Sequence, residues 1–140
     1  MHVYAESSAV LAWLLGDEGG EEAAAALAEA EGVVASDLTL VESERVLIRA
    51  WSTGLLPEAA AADQSARLAR AAATWLTLRL DEEVVDRARR PFPVEPLRTL
   101  DALHLAAALV ARAALPGLAV LTLDQRLREN AARLGFETVP

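Results

Sequence analysis

Short apolar runs alternate along this chain with longer stretches in which alanine, leucine and valine recur at helical spacing. HVYAE (2–6) predicts a strand and SSAVLAWLLG (7–16) a helix closing near Gly16. EEAAAALAEAEG (21–32) predicts a second helix that stops at Gly32, and VVAS (33–36) a second strand. Ser36 or Asp37 is placed to cap a helix through LTLVESERVLIRAW (38–51). After Gly54 comes PEAAAADQSARLARAAATWL (57–76), a helix with proline where the first turn tolerates it. TLRL (77–80) reads as a strand. DEEVVDRARR (81–90) reads as a short helix, acids first and arginines last, as the helix dipole favours. A proline-rich loop (91–96) leads into the most apolar helix, LRTLDALHLAAALV (97–110). GLAVLTL (117–123) is a buried strand, DQRLRENAARLG (124–135) a helix closed by Gly135, and FETV (136–139) a last strand.

Strands alternating with helices predict an α/β fold with a central, largely parallel sheet. No repeat or linker interrupts the pattern, so a single domain over residues 1–140 is expected. The apolar run from Leu105 is stopped by Arg112, and the N-terminal residues lack the basic stretch of a signal peptide. The expectation is a cytoplasmic protein with no membrane segment.

Composition narrows the chemistry. The chain has no cysteine, which excludes thiolate metal sites and disulfides. Its only histidines are His2 and His104, too few for a histidine-based zinc site. All 13 basic residues are arginines, so a Walker A loop and Schiff-base catalysis are excluded. The net charge of −8 argues against nucleic-acid binding through a broad basic face. A nucleic-acid enzyme remains compatible with it, because bound divalent cations reverse the sign of an acidic patch. The hydrophobic content of 54% points to apolar surface buried against a partner.

One carboxylate is out of keeping with its surroundings: Asp101 opens a helix that is otherwise apolar apart from His104. A buried, unpaired carboxylate is costly, so Asp101 either caps its helix or has a positive group beside it. Ligands of open parallel sheets gather beyond the carboxyl ends of the strands. Glu6 ends the first strand, Asp124 follows the strand at 117–123, and Glu42 lies about a turn inside the helix after the second strand. Each also has a local use: Asp124 as a helix cap, Glu6 as a solvated strand end, Glu42 as a partner of Arg45 or Arg49. Helical periodicity does not choose between Glu42 and Glu44 as the inward acid. Two carboxylates about 4 Å apart repel by roughly 4 kcal/mol at an effective dielectric near 20, so four together require protons or a cation. Oxygen donors without histidine or cysteine suit magnesium or manganese, and less well calcium.

The segments VYAESSAVLAWLLGDEG, LTLVESERVL, LRTLDALHLAAAL and VLTLDQRLRENAARLGF resemble, in order and spacing, the successive motifs of the PIN domain family. The likeness is to the ribonuclease toxins of bacterial and archaeal VapBC toxin–antitoxin systems. It implies a three-layer α/β/α sandwich and an endoribonuclease dependent on Mg2+, with Mn2+ as a substitute. It places the acidic cluster on Glu6, Glu42, Asp101 and Asp124, with Glu6, Asp101 and Asp124 as metal ligands, and so chooses Glu42 over Glu44. Ser8 and Thr122 match hydroxyl residues that support those acids. The implied partners are an RNA substrate, a cognate antitoxin and a second copy of the chain, with the apolar helices at 38–76 supplying interface and antitoxin groove.

The family's first acid is usually aspartate, and here it is Glu6, whose extra methylene adds roughly 1.5 Å of reach. That departure sustains a competing reading, a PIN-like RNA- or protein-binding module that has lost cleavage. A receiver-like phosphotransfer domain is set aside because its signature needs a lysine. His104 is read as a hydrogen-bonded packing residue, and Trp13, Trp51 and Trp75 as helical core or interface residues. Arg87, Arg89 and Arg90 are read as a solvated helix end with an alternative role on RNA phosphates. Arg98 and Arg126 lie where they would pair with the acids or counter substrate charge.

Overall fold

A computed structural model describes all residues, 1–140. Five strands form one sheet: β1 (His2–Ala5), β2 (Gly32–Ser36), β3 (Leu76–Leu78), β4 (Ala119–Leu121) and β5 (Thr138–Val139). Their order is β3-β2-β1-β4-β5 and every pairing is parallel. Seven helices connect them: α1 (Ser7–Leu15), α2 (Gly20–Glu29), α3 (Asp37–Ser52), α4 (Glu58–Ala72), α5 (Glu82–Ala88), α6 (Thr99–Ala114) and α7 (Gln125–Arg133).

Alternation along the strands builds two cores. Tyr4, Val34 and Val120 face one side, where they pack with Val84 of α5, Leu105 of α6 and Leu127 of α7. Val3, Ala5, Val33, Ala119 and Leu121 face the other, against Val10 and Leu14 of α1, Ala23 of α2 and Leu68 of α4. With helices on both faces the sheet is dry on both, which explains its near-continuous apolar strands. The result is the three-layer α/β/α architecture. No helix is long and apolar enough to cross a membrane.

Several boundaries differ from the sequence reading, each for a local reason. Helix α2 ends at Glu29, and Gly32 is a strand residue rather than a helix stop. It pairs with His2, and a Cβ there would sit 2.7 Å from the His2 ring. Helix α4 ends at Ala72, which leaves Trp75 in the turn before β3, packed on the core. Strand β4 is shorter than 117–123 because the chain turns off at both ends. Leu118 donates its N–H back to Leu115, and Leu123 donates its N–H to the Ser8 hydroxyl. Trp13 packs partly buried on the core under Arg67, whereas Trp51 is exposed on α3.

Helices α1 and α2 meet closely at Gly20, where a Cβ would lie 2.3 Å from the carbonyl oxygen of Ala12. That obstacle is backbone, so the helices must part to admit a methyl group. We predict that Gly20→Ala lowers stability by about 1–3 kcal/mol, the usual cost of overpacking, despite alanine's better helix propensity. Urea denaturation measures it.

Candidate active site

In this strand order the chain leaves β1 toward β2 on one side, while β4 flanks β1 on the other. The connections therefore diverge above the carboxyl ends of β1 and β4, the crevice where open α/β sheets bind ligands. Glu6 follows β1 directly and Asp124 follows β4 by three residues.

Glu6 occupies the N-cap position of α1, is almost fully buried, and takes up four donors. Its Oε1 accepts from the Ser8 backbone N–H at 3.1 Å and the Ser7 hydroxyl at 3.0 Å. Its Oε2 accepts from the Ser8 hydroxyl and from Thr122 Oγ1 at 2.8 Å. The two hydroxyls are themselves fixed from β4: Leu123 N–H donates to Ser8 Oγ at 2.9 Å, and Asp124 N–H to Thr122 Oγ1 at 3.1 Å. Glu6 is thus not a solvated strand end but a carboxylate whose charge is spread over the seam between β1 and β4.

Glu42 and Glu44 point in different directions. Glu44 leaves toward α4, where both its oxygens accept from Ser65 at 2.9 Å. Glu42 turns to the crevice, where Oε1 accepts from Ser7 Oγ at 2.8 Å and sits 2.5 Å from His104 Nε2. Neither Arg45 nor Arg49 pairs with it. Burial pushes the Glu42 carboxyl upward, but the His104 and Ser7 hydrogen bonds and the nearby Arg98 charge bring it below the ordinary range.

Asp101 lies in the first turn of α6, buried, and makes no cap. Its partner is Arg98, whose Nε is 3.2 Å from Oδ2. The same guanidinium reaches Asp124 Oδ2 at 3.7 Å, so one exposed arginine bridges two acids. Burial raises the Asp101 pKa, Arg98 lowers it in part, and the charges of Asp124 and Glu6 raise it again. Asp124 also caps α7 by accepting the Leu127 N–H at 2.9 Å. Arg126, by contrast, turns away to the Pro96 carbonyl at 2.5 Å.

The four predicted acids thus form two linked pairs, Glu6 with Glu42 through Ser7 and Asp101 with Asp124 through Arg98, with Ser8 and Thr122 bonded to Glu6. The sequence reading missed Ser7, although it stands next to Glu6, and it gave Tyr4 no polar role. His104 is buried and hydrogen-bonded to Tyr4, as a packing histidine would be, and also to Glu42.

Glu6, Glu42 and His104 bring ligand atoms within 4.8 Å of one another, a spacing that can hold a metal ion, while Asp101 and Asp124 stand outside that group, tied by Arg98. Asp101 Oδ1 and Glu42 Oε2 accept no hydrogen bond, Asp124 Oδ2 has only the Arg98 guanidinium at 3.7 Å, and carboxylate oxygens of this kind suit magnesium or manganese. Glu6, by contrast, faces four protein donors, one of them the Ser7 hydroxyl that it shares with Glu42. The Ser7 hydroxyl has one proton for two carboxylates, so it leaves one oxygen of Glu6 or Glu42 to other donors.

The PIN domain family profile matches residues 3–133, and the chain belongs to this family. Solved structures share the fold. VapC20 of Mycobacterium tuberculosis, a toxin that cleaves the sarcin–ricin loop, is 18% identical with a TM-score of 0.68 over 99% of both chains. A toxin–antitoxin complex from Klebsiella pneumoniae is 20% identical, TM-score 0.64, over 99% of this chain and 96% of that one. VapBC2 from Rickettsia felis, bound to a DNA fragment from its promoter, is 6% identical, TM-score 0.62, over 99% and 97%. Curated protein sequences give no significant match.

Removing Arg98 removes the hydrogen bond and the charge that hold Asp101 down, so Arg98→Ala should move the Asp101 midpoint further up, read by carboxyl 13C NMR. A carboxyl raised above its unfolded value favours the fold below the ordinary carboxylate range and loses that benefit as pH rises through its folded pKa. The variant should therefore lose more stability than the wild type as pH rises from the ordinary carboxylate range, about pH 4, through the raised Asp101 midpoint.

Proposed function

We propose that this protein is a metal-dependent endoribonuclease, the toxin of a toxin–antitoxin pair, with Glu6, Glu42, Asp101 and Asp124 as its active site. The observation that carries the reading is the meeting of four carboxylates at the strand-end crevice of a PIN fold, against a single bridging arginine. Such a cluster requires protons or compensating positive charge.

Asp101 and Asp124 offer open oxygens for Mg2+ or Mn2+, and Glu6 contributes charge directly or through a water. The chemistry such an ion supplies is acidification of a water and neutralisation of charge on the phosphodiester. Glu42, held below the ordinary carboxylate range, is a weak base but a good acceptor. It orients the attacking water in line with the leaving oxygen. Arg98 is exposed beside the acids and is placed to meet a phosphate oxygen once a cation relieves it of Asp101 and Asp124. Arg89 and Arg90 line a groove together with Glu95, Leu97 and Thr99, and supply basic charge for RNA phosphates. Arg87 is committed elsewhere, over the Phe92 ring at 4.2 Å.

The apolar side chains left exposed on α3 and just after it, Val41, Val46, Ile48, Trp51 and Leu55, support burial against an antitoxin or a second copy. A cytoplasmic location accords with this role. A second reading, a binding module without cleavage, draws support from Glu6, whose oxygens are all engaged by protein donors.

The test is cleavage of a panel of structured RNAs by antitoxin-free protein in Mg2+, Mn2+ or EDTA, beside Asp101→Asn. We expect metal-dependent cleavage that falls by more than about a hundredfold in the variant, beyond the usual effect of losing an outer-shell partner. No cleavage and no metal binding, with RNA retained in EDTA, would favour the binding module.

A further inference from the structure

His104 is a buried ionisable side chain to which the nuclease reading assigns no task. A packing role alone would be met by the alanine and leucine that fill the rest of its helix face. Its ring is instead fixed at both nitrogens. Nδ1 lies 2.9 Å from the Tyr4 hydroxyl, and Nε2 lies 2.5 Å from Glu42 Oε1 and 3.2 Å from Ser7 Oγ. Tyr4 presents its ring edge-on, with centroids 5.9 Å apart and planes at 71°. The Tyr4 hydroxyl is in turn 2.9 Å from Ser36 Oγ, at the end of β2.

The hydrogen bonds have a direction. An ionised carboxylate only accepts, so the proton between His104 and Glu42 belongs to Nε2. In the neutral ring Nδ1 is then an acceptor, and the Tyr4 hydroxyl donates to it. Burial drives the Tyr4 phenol far above its ordinary range, so that proton is always present. The Ser36 hydroxyl completes the chain by donating to Tyr4. Donors thus run from the sheet core outward and end on a carboxylate of the crevice.

Glu42 needs this support. Its side chain is 24% exposed, and its other donor is Ser7, which shares its single proton with Glu6. Without His104, repulsion from Glu6, which lies across the shared Ser7 hydroxyl, and the pull of solvent favour a rotamer that swings Glu42 out of the crevice.

We infer that His104 is a positioning residue of the cation site: through Nε2 it holds Glu42 against the other acids, and Tyr4 and Ser36 hold its ring. Affinity for a divalent ion therefore depends on hydrogen bonds that start in the core, away from any ligand. The inference rests on the metal-dependent reading above.

Calorimetric titration of Mn2+ into the purified full chain tests it, comparing wild type, His104→Leu, His104→Gln and Tyr4→Phe. His104→Leu should bind Mn2+ about 10–100-fold more weakly, the range seen when outer-shell partners of metal ligands are lost. His104→Gln, whose amide can still donate toward Glu42, should recover most of that loss. Tyr4→Phe makes no contact with any acid and should still weaken binding several-fold. Wild-type affinity in folded His104→Leu, or in Tyr4→Phe should the first variant not fold, would overturn the inference and leave His104 a packing residue. A wild type that binds no Mn2+ removes both this role and the metal-dependent reading. A wild type that binds Mn2+ in the predicted order of affinities but cuts no RNA removes the nuclease alone.

Discussion

The carboxylate of Glu6, buried where β1 and β4 part, is the constraint around which the crevice is built. A charge in that position is tolerable only with a full set of donors, and these come from both sides of the seam: Ser7 and Ser8 from α1, Thr122 from the end of β4. Supplying them forces the chain after β4 into its turn, since Ser8 and Thr122 are themselves bonded by the backbone of Leu123 and Asp124. The same turn sets Asp124 at the cap of α7. The placement of one acid thus follows from the solvation of another.

Charge balance decides what such a crevice can do. Arg98 answers for Asp101 and Asp124 at the exposed rim, while hydroxyls and His104 answer for Glu6 and Glu42 inside. Neither device neutralises the whole cluster: burial still lifts the Asp101 pKa, with Asp124 and Glu6 adding to it. A site in this condition gains stability from any cation that enters it. The Glu6 carboxylate accepts from Thr122 as well as from the serines, so its charge is shared among donors instead of being aimed at solvent.

Much of the fold was legible because each strand is short, apolar and bounded by a helix signal, and the tertiary arrangement agrees with those local preferences. The errors came where long-range partners set the boundary. Gly32 looks like a helix stop, but pairing with His2 makes it a strand residue. Trp75 continues an alanine-rich helical pattern, yet packing on the core places it in a turn. In the site, the convergence of strand-end acids could be argued from topology, whereas Glu42 against Glu44 could not: the choice turns on Ser65 of α4 and His104 of α6, both remote in sequence. Tyr4 illustrates the limit most plainly. It is a buried core aromatic in an apolar strand, and its hydroxyl finds partners only because Ser36 and His104 arrive from two other elements.

The central claim is that this acidic crevice is a divalent-cation site whose carboxylates are held ready by the fold. Crystals of the protein grown with Mn2+, measured at a wavelength where manganese scatters anomalously, test it most directly. An anomalous peak is expected among Asp101, Asp124 and the Glu6–Glu42 pair, with Arg98 released from its bridge and His104 still bonded to Glu42. Well-ordered crystals with no peak there, and Arg98 still joined to both aspartates at saturating Mn2+, would contradict it.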